Sequence, residues 1–482
     1  MTSSPNLNSV IPQRFAPIIA EVAEPARLFV AAGKRAFLVG GTVRDLMIDR
    51  TGGEMDFDLT TDAEPDEIRA IIAPWADGVW APGERFGTVA CRKGDRTYEI
   101  TTHRAEAYSP DSRKPEVRYS KDIEEDLSRR DFTVNAMALE ITSDSPTLVD
   151  PYGGMADLMA KTLRTPLSPT VSFSDDPLRM MRAARFIAML SLQPVPELVQ
   201  AVKDMADRLD IVSAERIRNE LDRLIVLDHP TMGLWFLVET GLADRFFPEL
   251  PAMRLEQDPI HRHKDVLSHT FAVVENVRRD ASSDFDFRIT RLAALFHDIG
   301  KPKTRAFHEG KGVSFHHHEV VGARMSKNRL KALKYSSEDV DAITELVALH
   351  LRFHTYQMGW TDSAVRRYVR DAGPLLNELN VLTRCDCTTR NEKKALMLAK
   401  RMDDLEGRIA ELAKQEELAA LRPEMDGQQV MDHLGIAPSR EVGQALDFLM
   451  EIRLEEGLVG DTEIRRRLDE WWASRPAAAR RG

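Results

Sequence analysis

The sequence AFLVGGTVRDLMIDRTGGEMDFDLTT, residues 36–61, determines the fold of the N-terminal part of the chain. A short apolar run, typical of a strand, leads into Gly40 and Gly41, and a helical pattern follows. Because glycine has no side chain, a phosphate group can approach the backbone here, close to the free N–H groups of the helix. Arg44, in the first turn of that helix, adds a charged donor. We therefore expect a phosphate-binding turn.

Two acidic residues follow on a second predicted strand. Strand side chains alternate, so Asp56 and Asp58 leave the same face, with Cα atoms roughly 6.7 Å apart. Both carboxylates could bind one Mg²⁺ ion or a close pair of ions. Each feature alone also fits an ordinary tight turn or a solvated strand edge. Together, in this order, they indicate nucleotidyl transfer.

Composition limits the class of protein. A chain of 482 residues is too long for one core, and its 43 % hydrophobic and 30 % charged content is typical of a soluble globular protein. We see no signal peptide and no membrane span. The cysteines Cys91, Cys385 and Cys387 form no disulfide framework, so we expect a cytoplasmic protein. A net charge of −11 does not favour general nucleic-acid affinity but allows a local basic surface.

The pattern of elements predicts an α+β protein. Short strands alternate with helices up to about residue 165, and helical periodicity dominates afterwards. Residues 105–121, with two prolines and many polar residues, are predicted to form a loop. We expect an N-terminal domain with a mixed sheet, a helical neck, a second helical domain and a helical tail, over residues 1–165, 166–255, 256–395 and 396–482.

A second motif, IEEDLSRRDFTVNAMA, spans residues 123–138. Arg130 could hold a phosphate, and Asp131 could accept a hydrogen bond from a ribose 2′-hydroxyl. A solvated helix end with a basic pair is the alternative. Glu99, on a predicted strand, is a candidate third carboxylate, although a surface glutamate fits equally well.

A third motif, DDPLRMMRAAR, covers residues 175–185 and spaces its arginines at intervals of three. Asp176 only accepts hydrogen bonds and Arg179 only donates them, which suits the amino group and ring nitrogen of cytosine or adenine. Uracil and guanine present an oxygen where Asp176 requires a donor, so they would be rejected. The alternative is a helix N-cap followed by a solvated face.

Histidines are concentrated in the second helical domain, with ten of the thirteen between His261 and His354. Imidazoles and carboxylates on facing helices are typical of a metal site in a helical bundle. In LFHDIGK, the adjacent His297 and Asp298 lie in an apolar helix, where burial without a ligand would be costly for Asp298.

Residues 36–61 resemble the signature of the polymerase-beta-type nucleotidyltransferase superfamily, in the form found in its CCA tRNA nucleotidyltransferase and poly(A) polymerase branch. RRDFTVNAMA, DDPLRMMRAAR and SAERIRNEL resemble later motifs of that branch. Glu215 and Arg216, in the last of these, are interpreted as helix-stabilising. The resemblance implies catalysis at Asp56 and Asp58 with two Mg²⁺ ions, and reading of CTP and ATP by Asp176 and Arg179. It also implies nucleotide binding by Gly40, Gly41, Arg44, Arg130, Asp131, Arg182 and Arg185.

The histidine region resembles the HD phosphohydrolase domain. This resemblance implies a divalent metal (Mn, Ni, Fe or Co) on His269, His297, Asp298 and Asp386, and hydrolysis of a phosphoester. His318 and His350 match the additional histidines of members with a second metal, whereas His316 and His317 are less favoured. The alternative is a domain that has kept its shape and lost its activity.

The motif order resembles bacterial CCA tRNA nucleotidyltransferases of the eubacterial and eukaryotic class. It implies addition of C, C and A to tRNA from CTP and ATP, with release of pyrophosphate. Two alternatives remain open. One is a poly(A) polymerase of the same branch, and the other is a metal-dependent phosphohydrolase whose N-terminal part only binds RNA.

Overall fold

The structure is a computed structural model, and it divides into two compact units, Met1–Phe246 and Phe247–Gly482. Each unit is described by itself. The residues described are 13–50, 57–83, 87–107, 116–143, 145–255, 265–280, 284–308, 312–355, 360–388, 392–416 and 421–475.

The first unit combines strands with helices. Its strands are β1 (Ala36–Val39), β2 (Phe57–Thr61), β3 (Gly78–Gly83), β4 (Thr88–Lys93), β5 (Arg96–Thr102), β6 (Arg104–Ala107), β7 (Glu116–Tyr119), β8 (Ala138–Glu140), β9 (Thr147–Val149), β10 (Thr162–Leu163) and β11 (Gln193–Pro194). Its helices are α1 (Ala16–Ala31), α2 (Gly41–Met47), α3 (Pro65–Ile72), α4 (Ile123–Ser128), α5 (Gly154–Met159), α6 (Pro169–Asp175), α7 (Leu178–Leu190), α8 (Pro196–Met205), α9 (Ala214–Ile225), α10 (Thr231–Glu239) and α11 (Leu242–Phe246).

Seven strands form one sheet in the order β3-β4-β5-β2-β1-β8-β9. Strands β2 and β5 are parallel, and the other neighbours are antiparallel, so the sheet is mixed. All four residues of β1 are buried, as expected for a central strand covered on both faces. The predicted α+β class with a mixed sheet is confirmed.

Helix α7 packs against the sheet-bearing part of this unit. Phe132 and Phe186 meet edge to face with ring centroids 5.6 Å apart, and both rings are buried. Because Phe186 lies on α7, this contact fixes the arginine-bearing face of the helix relative to the segment that precedes β8.

The second unit is mostly helical. Its elements are α12 (Glu249–Ala252), α13 (Val266–Asn276), α14 (Phe287–Phe296), α15 (Lys301–Thr304), β12 (Ala306–His308), β13 (Gly312–Ser314), α16 (His318–Ala332), α17 (Ser337–Leu349), α18 (Asp362–Ala372), α19 (Leu376–Asp386), α20 (Glu392–Glu416), α21 (Gly427–Leu434), α22 (Arg440–Glu456) and α23 (Asp461–Ala473). Helix α14 is buried along nearly its whole length, and α13, α17 and α19 pack around it.

Helices α21–α23 enclose a small core of their own, built on Val430, Leu449 and Leu468. The predicted boundaries at residues 165, 255 and 395 stay predictions. Among the described residues, no helix combines the length and the apolar character needed to cross a membrane.

Candidate active site and metal centre

The diglycine turn lies between β1 and α2. Gly40 has φ 72° and ψ −137°, a conformation that residues with a side chain rarely adopt. A Cβ atom built on Gly40 would lie 3.5 Å from Arg130 Nη1 and 3.6 Å from Asp58 Oδ2. The turn therefore lies against both a predicted phosphate-binding arginine and a predicted catalytic carboxylate.

If the chain catalyses the nucleotidyl transfer predicted from its sequence, replacing Gly40 with alanine is expected to lower kcat/KM by about tenfold or more, because small displacements of a binding turn are costly to rate. Gly33→Ala is the matched control. Gly33 also has a positive φ, 68°, but a Cβ atom there meets nothing within 4 Å. Both variants should lose stability through backbone strain of about 1–2 kcal/mol. Equal kcat/KM in the two variants would contradict a phosphate-binding role for this turn.

The carboxylates on the sheet face the same way. Asp58 on β2 is the register partner of Glu99 on the parallel strand β5, and both are exposed. Register partners on neighbouring strands project from the same face about 5 Å apart. Glu99 therefore lies where a third carboxylate could share a cation with Asp58. Asp56 lies outside the described residues.

Arg130 and its neighbour Arg129 are held by a residue that the sequence did not indicate. Asp126, fully buried on α4, accepts from Arg129 Nη2 at 2.8 Å and from Arg130 Nη2 at 2.9 Å. Burial raises the pKa of Asp126, but the two arginine charges outweigh burial and hold that pKa well below its ordinary value. The spacing of three and four residues along a helix was the available signal.

Asp131 connects its segment to α7. Its Oδ1 accepts from Phe132 N at 2.8 Å and Asn135 Nδ2 at 2.9 Å, and its Oδ2 accepts from Arg182 Nε at 2.9 Å and Nη2 at 2.5 Å. Burial raises the pKa of Asp131, but the charge of Arg182 and the Asn135 hydrogen bond hold it at about 2. Four donors occupy this carboxylate. The predicted bond to a ribose hydroxyl requires one of them to move.

Arg44 belongs to the same network. Its Nη1 donates to Asn135 Oδ1 at 2.5 Å, its Nε donates to Asp45 at 2.8 Å, and the side chain is nearly buried. Arg44 is therefore fixed in place between the diglycine turn and the Asp131 segment.

The two predicted base-reading residues, Asp176 just before α7 and Arg179 in its first turn, also have partners. Arg179 Nη1 donates to Ser172 Oγ at 2.9 Å, and its Nη2 donates to the Arg129 carbonyl. Asp176 Oδ1 accepts from Leu178 N at 3.1 Å, and its Oδ2 accepts from Arg216 Nη2 at 3.0 Å. Both side chains are therefore oriented by neighbouring groups.

Glu220, buried on α9, anchors the remaining arginines of the motif. It accepts from Arg185 Nε at 2.7 Å and lies 3.6 Å from Arg182 Nη1. Burial lowers the pKa of Arg185, and the Glu220 charge opposes that effect. The sequence does not indicate this role of Glu220, because helix α8 separates it along the chain from its partners on α7.

These groups surround one cavity of about 440 Å³. An arginine-rich wall with a few carboxylates suits an anionic ligand that also coordinates cations. Every predicted nucleotide-binding residue lines the cavity, together with Asp58 and five residues that we did not predict. The full lining is Gly40, Gly41, Arg44, Asp58, Arg130, Asp131, Asn135, Asp176, Leu178, Arg179, Arg182, Arg185, Phe186, Met189 and Arg216.

The second unit brings the four predicted HD residues together in what we call the histidine centre. His269 Nε2 lies 2.9 Å from Asp386 Oδ1 and 3.6 Å from Asp298 Oδ2. His297 Nε2 lies 3.2 Å from Asp298 Oδ2 and 3.6 Å from Asp386 Oδ1. His297 Nε2 and Asp298 Oδ1 are buried without a hydrogen-bond partner in the described part of the chain. Such a donor set fits a divalent metal ion.

A second group shares Asp298 with the first. His318 Nε2 lies 3.4 Å from Asp298 Oδ1, and His350 Nε2 lies 4.0 Å from it. Burial and the charge of His297 lower the pKa of His350 to about 3, so its imidazole is neutral and able to bind a metal. His316 and His317 are exposed and belong to neither group.

The hydrogen-bond partner of Nδ1, the ring nitrogen that points away from the centre, fixes the tautomer of three of these imidazoles. Nδ1 of His297, His318 and His350 lies 2.7–2.8 Å from a backbone carbonyl oxygen three residues earlier. A carbonyl only accepts, so these Nδ1 atoms carry the proton and Nε2 faces the centre. For His269 the partner is the hydroxyl of Thr388, at 2.8 Å. Thr388 is a further residue that the sequence did not indicate.

Replacing Thr388 with valine is expected to weaken Mn²⁺ or Ni²⁺ binding at the histidine centre by roughly 10- to 100-fold, because the group that orients His269 is lost. Isothermal titration of metal-stripped protein measures the change. Ser314→Ala is the control, since Ser314 makes an equivalent 2.9 Å hydroxyl–imidazole contact with His308, outside the centre. Unchanged affinity in Thr388→Val would show that His269 needs no such partner.

Three family models match the chain. They are the poly A polymerase head domain at residues 36–164, the probable RNA and SrmB-binding site of polymerase A at 192–253, and the HD domain at 266–415.

Enzymes with similar sequences match longer parts of the chain. The A-adding tRNA nucleotidyltransferase of Deinococcus radiodurans is 33 % identical over 449 residues, which cover 91 % of this chain and 95 % of that enzyme. The CCA-adding enzyme of Bacillus subtilis is 37 % identical over 243 residues, covering 50 % of this chain and 56 % of the relative. The chain thus matches about half the length of that CCA-adding relative and nearly all of the A-adding one.

Solved structures show the same fold. The CCA-adding enzyme of Bacillus stearothermophilus in complex with CTP has a TM-score of 0.66 and 24 % identity, over 95 % of this chain and 98 % of that one. The Thermotoga maritima CCA-adding enzyme complexed with tRNA has a TM-score of 0.59 and 18 % identity, over 94 % of this chain and 95 % of that one.

Proposed function

The chain belongs to the tRNA nucleotidyltransferase and poly(A) polymerase family, and from that premise we propose that it adds C, C and A to the 3′ end of tRNA. CTP and ATP are the proposed donors, and pyrophosphate is the leaving group. The observation that carries the proposal is the single cavity in which the diglycine turn, Asp58, Arg130 and the Asp176–Arg179 pair meet.

Base selection follows from the chemistry of the cavity wall. Asp176 offers a carboxylate acceptor to an exocyclic amino group, and Arg179 offers a donor to the adjacent ring nitrogen. Cytosine and adenine satisfy both, whereas uracil and guanine place an acceptor against Asp176. Protein side chains would thus replace a nucleic-acid template.

The triphosphate and the metal would occupy the other end of the cavity. Arg44 and Arg130 would bind the phosphates beside the diglycine turn, and Asp56, Asp58 and Glu99 would hold Mg²⁺. When bound, the Mg²⁺ ions would activate the tRNA 3′-hydroxyl and stabilise charge on the α-phosphate and pyrophosphate. The fixed positions of Arg44 and Asp131 would keep the nucleotide in line for attack.

The test supplies purified protein with three tRNAs that end before the first C, after the first C and after the second C. Each is incubated with single NTPs and with CTP plus ATP, with and without Mg²⁺. Stepwise addition that stops at CCA supports the proposal. Long tails from ATP alone would identify a poly(A) polymerase instead.

A second candidate is addition of the terminal A only. It is favoured by the match to the A-adding enzyme, which covers nearly the full length of both chains. The same assay separates the two. An A-adding enzyme extends only the tRNA that already ends in CC and leaves CTP unused.

We further propose that the histidine centre hydrolyses phosphoesters with Mn, Ni, Fe or Co. Support comes from its two metal-compatible groups, which share Asp298. Release of phosphate from a 2′- or 2′,3′-cyclic nucleotide by the metal-loaded protein would establish this activity. Phosphate release without any incorporation of labelled CTP or ATP would contradict the main proposal. The protein would then be a phosphohydrolase whose N-terminal part only binds RNA.

A further inference from the structure

Arg216 lies on α9 and lines the same cavity, although its sequence context indicated only a helix-stabilising role. Its Nη2 donates to Asp176 Oδ2 at 3.0 Å across 40 positions of the chain. The side chain is 53 % exposed, and that of Asp176 is 30 % exposed. An ion pair this exposed contributes little to stability, so the contact needs another explanation.

The two proposed base-reading residues are fixed in different ways. Arg179 is nearly buried, and its guanidinium donates to the Ser172 side chain and to the Arg129 carbonyl. Asp176 has a backbone donor, Leu178 N, on Oδ1, whereas its Oδ2 contacts the Arg216 side chain. The orientation of the Asp176 carboxylate therefore depends on a replaceable side chain.

The orientation of the Asp176 carboxylate matters because its hydrogen bond to a base depends on the direction in which its oxygen lone pairs point. The torsion between an aspartate Cβ and its carboxylate is broad, so a carboxylate held on one oxygen only can turn. Each oxygen of Asp176 keeps a second lone pair for a ligand. If the carboxylate rotated, its oxygen would no longer point directly at the oxygen of uracil. The repulsion that excludes UTP would then be weaker.

We propose that Arg216 is a positioning residue for base selection. It holds Asp176 Oδ2 so that a lone pair faces the exocyclic amino group of the incoming base. The inference rests on the proposed function, since it assigns Arg216 a part in the same site. Arg216 itself need not touch the nucleotide.

The experiment measures kcat/KM for CTP and for UTP on one tRNA substrate, so that any effect on tRNA binding cancels in the ratio. Arg216→Gln is expected to lower the CTP-to-UTP ratio by about tenfold, the scale of one misplaced hydrogen bond. KM for CTP should change little, because the phosphate-binding residues are intact. Arg216→Lys, which keeps a charged donor, should restore most of the ratio, and Asp176→Ala should lower it at least as far.

Arg218→Gln is the matched control. Arg218 lies on the same helix, carries the same charge and donates to Asn219 Oδ1 at 2.9 Å, outside the cavity lining. It should keep the wild-type ratio. A wild-type ratio in Arg216→Gln, or an equal loss for CTP and UTP, would overturn the inference.

Failure of the proposed function has a different signature. In that case the wild-type protein incorporates neither CTP nor ATP into any of the three tRNAs. If the wild-type protein adds only A, the same variants are compared by their ATP-to-GTP ratio on tRNA ending in CC.

Discussion

Replacing Asp58 with asparagine should reduce nucleotide incorporation by a factor of about 10³ or more and leave CTP binding within about tenfold of wild type. The exchange keeps the shape of the side chain and removes the charge that would hold Mg²⁺. Binding should largely survive, because the predicted nucleotide-binding residues of the cavity wall are unchanged in this variant. Single-turnover incorporation measures the loss, and equilibrium binding of labelled CTP measures what remains.

Two comparisons sharpen that result. Glu99→Gln should also lower incorporation, because Glu99 is the register partner of Asp58 on the neighbouring strand. We expect a smaller loss than in Asp58→Asn, because Glu99 would be a third carboxylate beside the Asp56 and Asp58 pair. Asp66→Asn should behave as wild type, because the Asp66 side chain is 95 % exposed on α3. Full activity in Asp58→Asn would remove the metal-dependent transfer proposed for this face of the sheet.

Replacing Asp298 with asparagine should abolish metal binding at the histidine centre while nucleotide addition continues at the wild-type rate. Asp298 is the one residue shared by the two metal-compatible groups in the described chain. Burial raises the pKa of its carboxyl, but His297 and Lys301 hold that pKa well below its ordinary value, so Asp298 is charged and able to bind a metal ion. The proposed transfer site lies in the other compact unit, so it should be unaffected.

Metal content per chain after dialysis against Mn²⁺ or Ni²⁺ gives the first readout, and tRNA extension gives the second. His316→Ala is the control, because His316 is exposed and outside both groups. Thermal unfolding checks that Asp298→Asn remains folded. Retention of one metal per chain in Asp298→Asn would mean that the remaining ligands suffice and that Asp298 does not join two sites.

Much of the candidate site was predictable from the sequence, because each motif is local. The diglycine turn, the RRD segment and the α7 arginines each occupy a few consecutive residues, and their spacing shows which chemistry they can offer. The partners that orient them are distant in sequence. Thr388 reaches His269 across 119 positions and Glu220 reaches Arg185 across 35, and no periodic pattern indicates such contacts.

Part of the fold was also not predictable from the sequence. The mixed sheet was expected, but residues 105–121 were predicted to form a loop, and both ends of that segment are strands. β6 and β7 pair antiparallel from Arg104 to Tyr119, with residues 108–115 outside the described residues. Pairing between strands supplies hydrogen bonds that proline and polar content do not reveal.

Hydrogen bonds connect Arg44 through Asn135 and Asp131 to Arg182, and an ion pair connects Arg182 to Glu220. This network has a consequence for how one enzyme could bind two nucleotides of different size. Because the residues of this network hold one another in place, the rotation of one side chain alone would not widen the cavity. Going from a pyrimidine to a purine would then require the Asp131 segment and helices α7 and α9 to shift together, so the size of the pocket would be set by all of them.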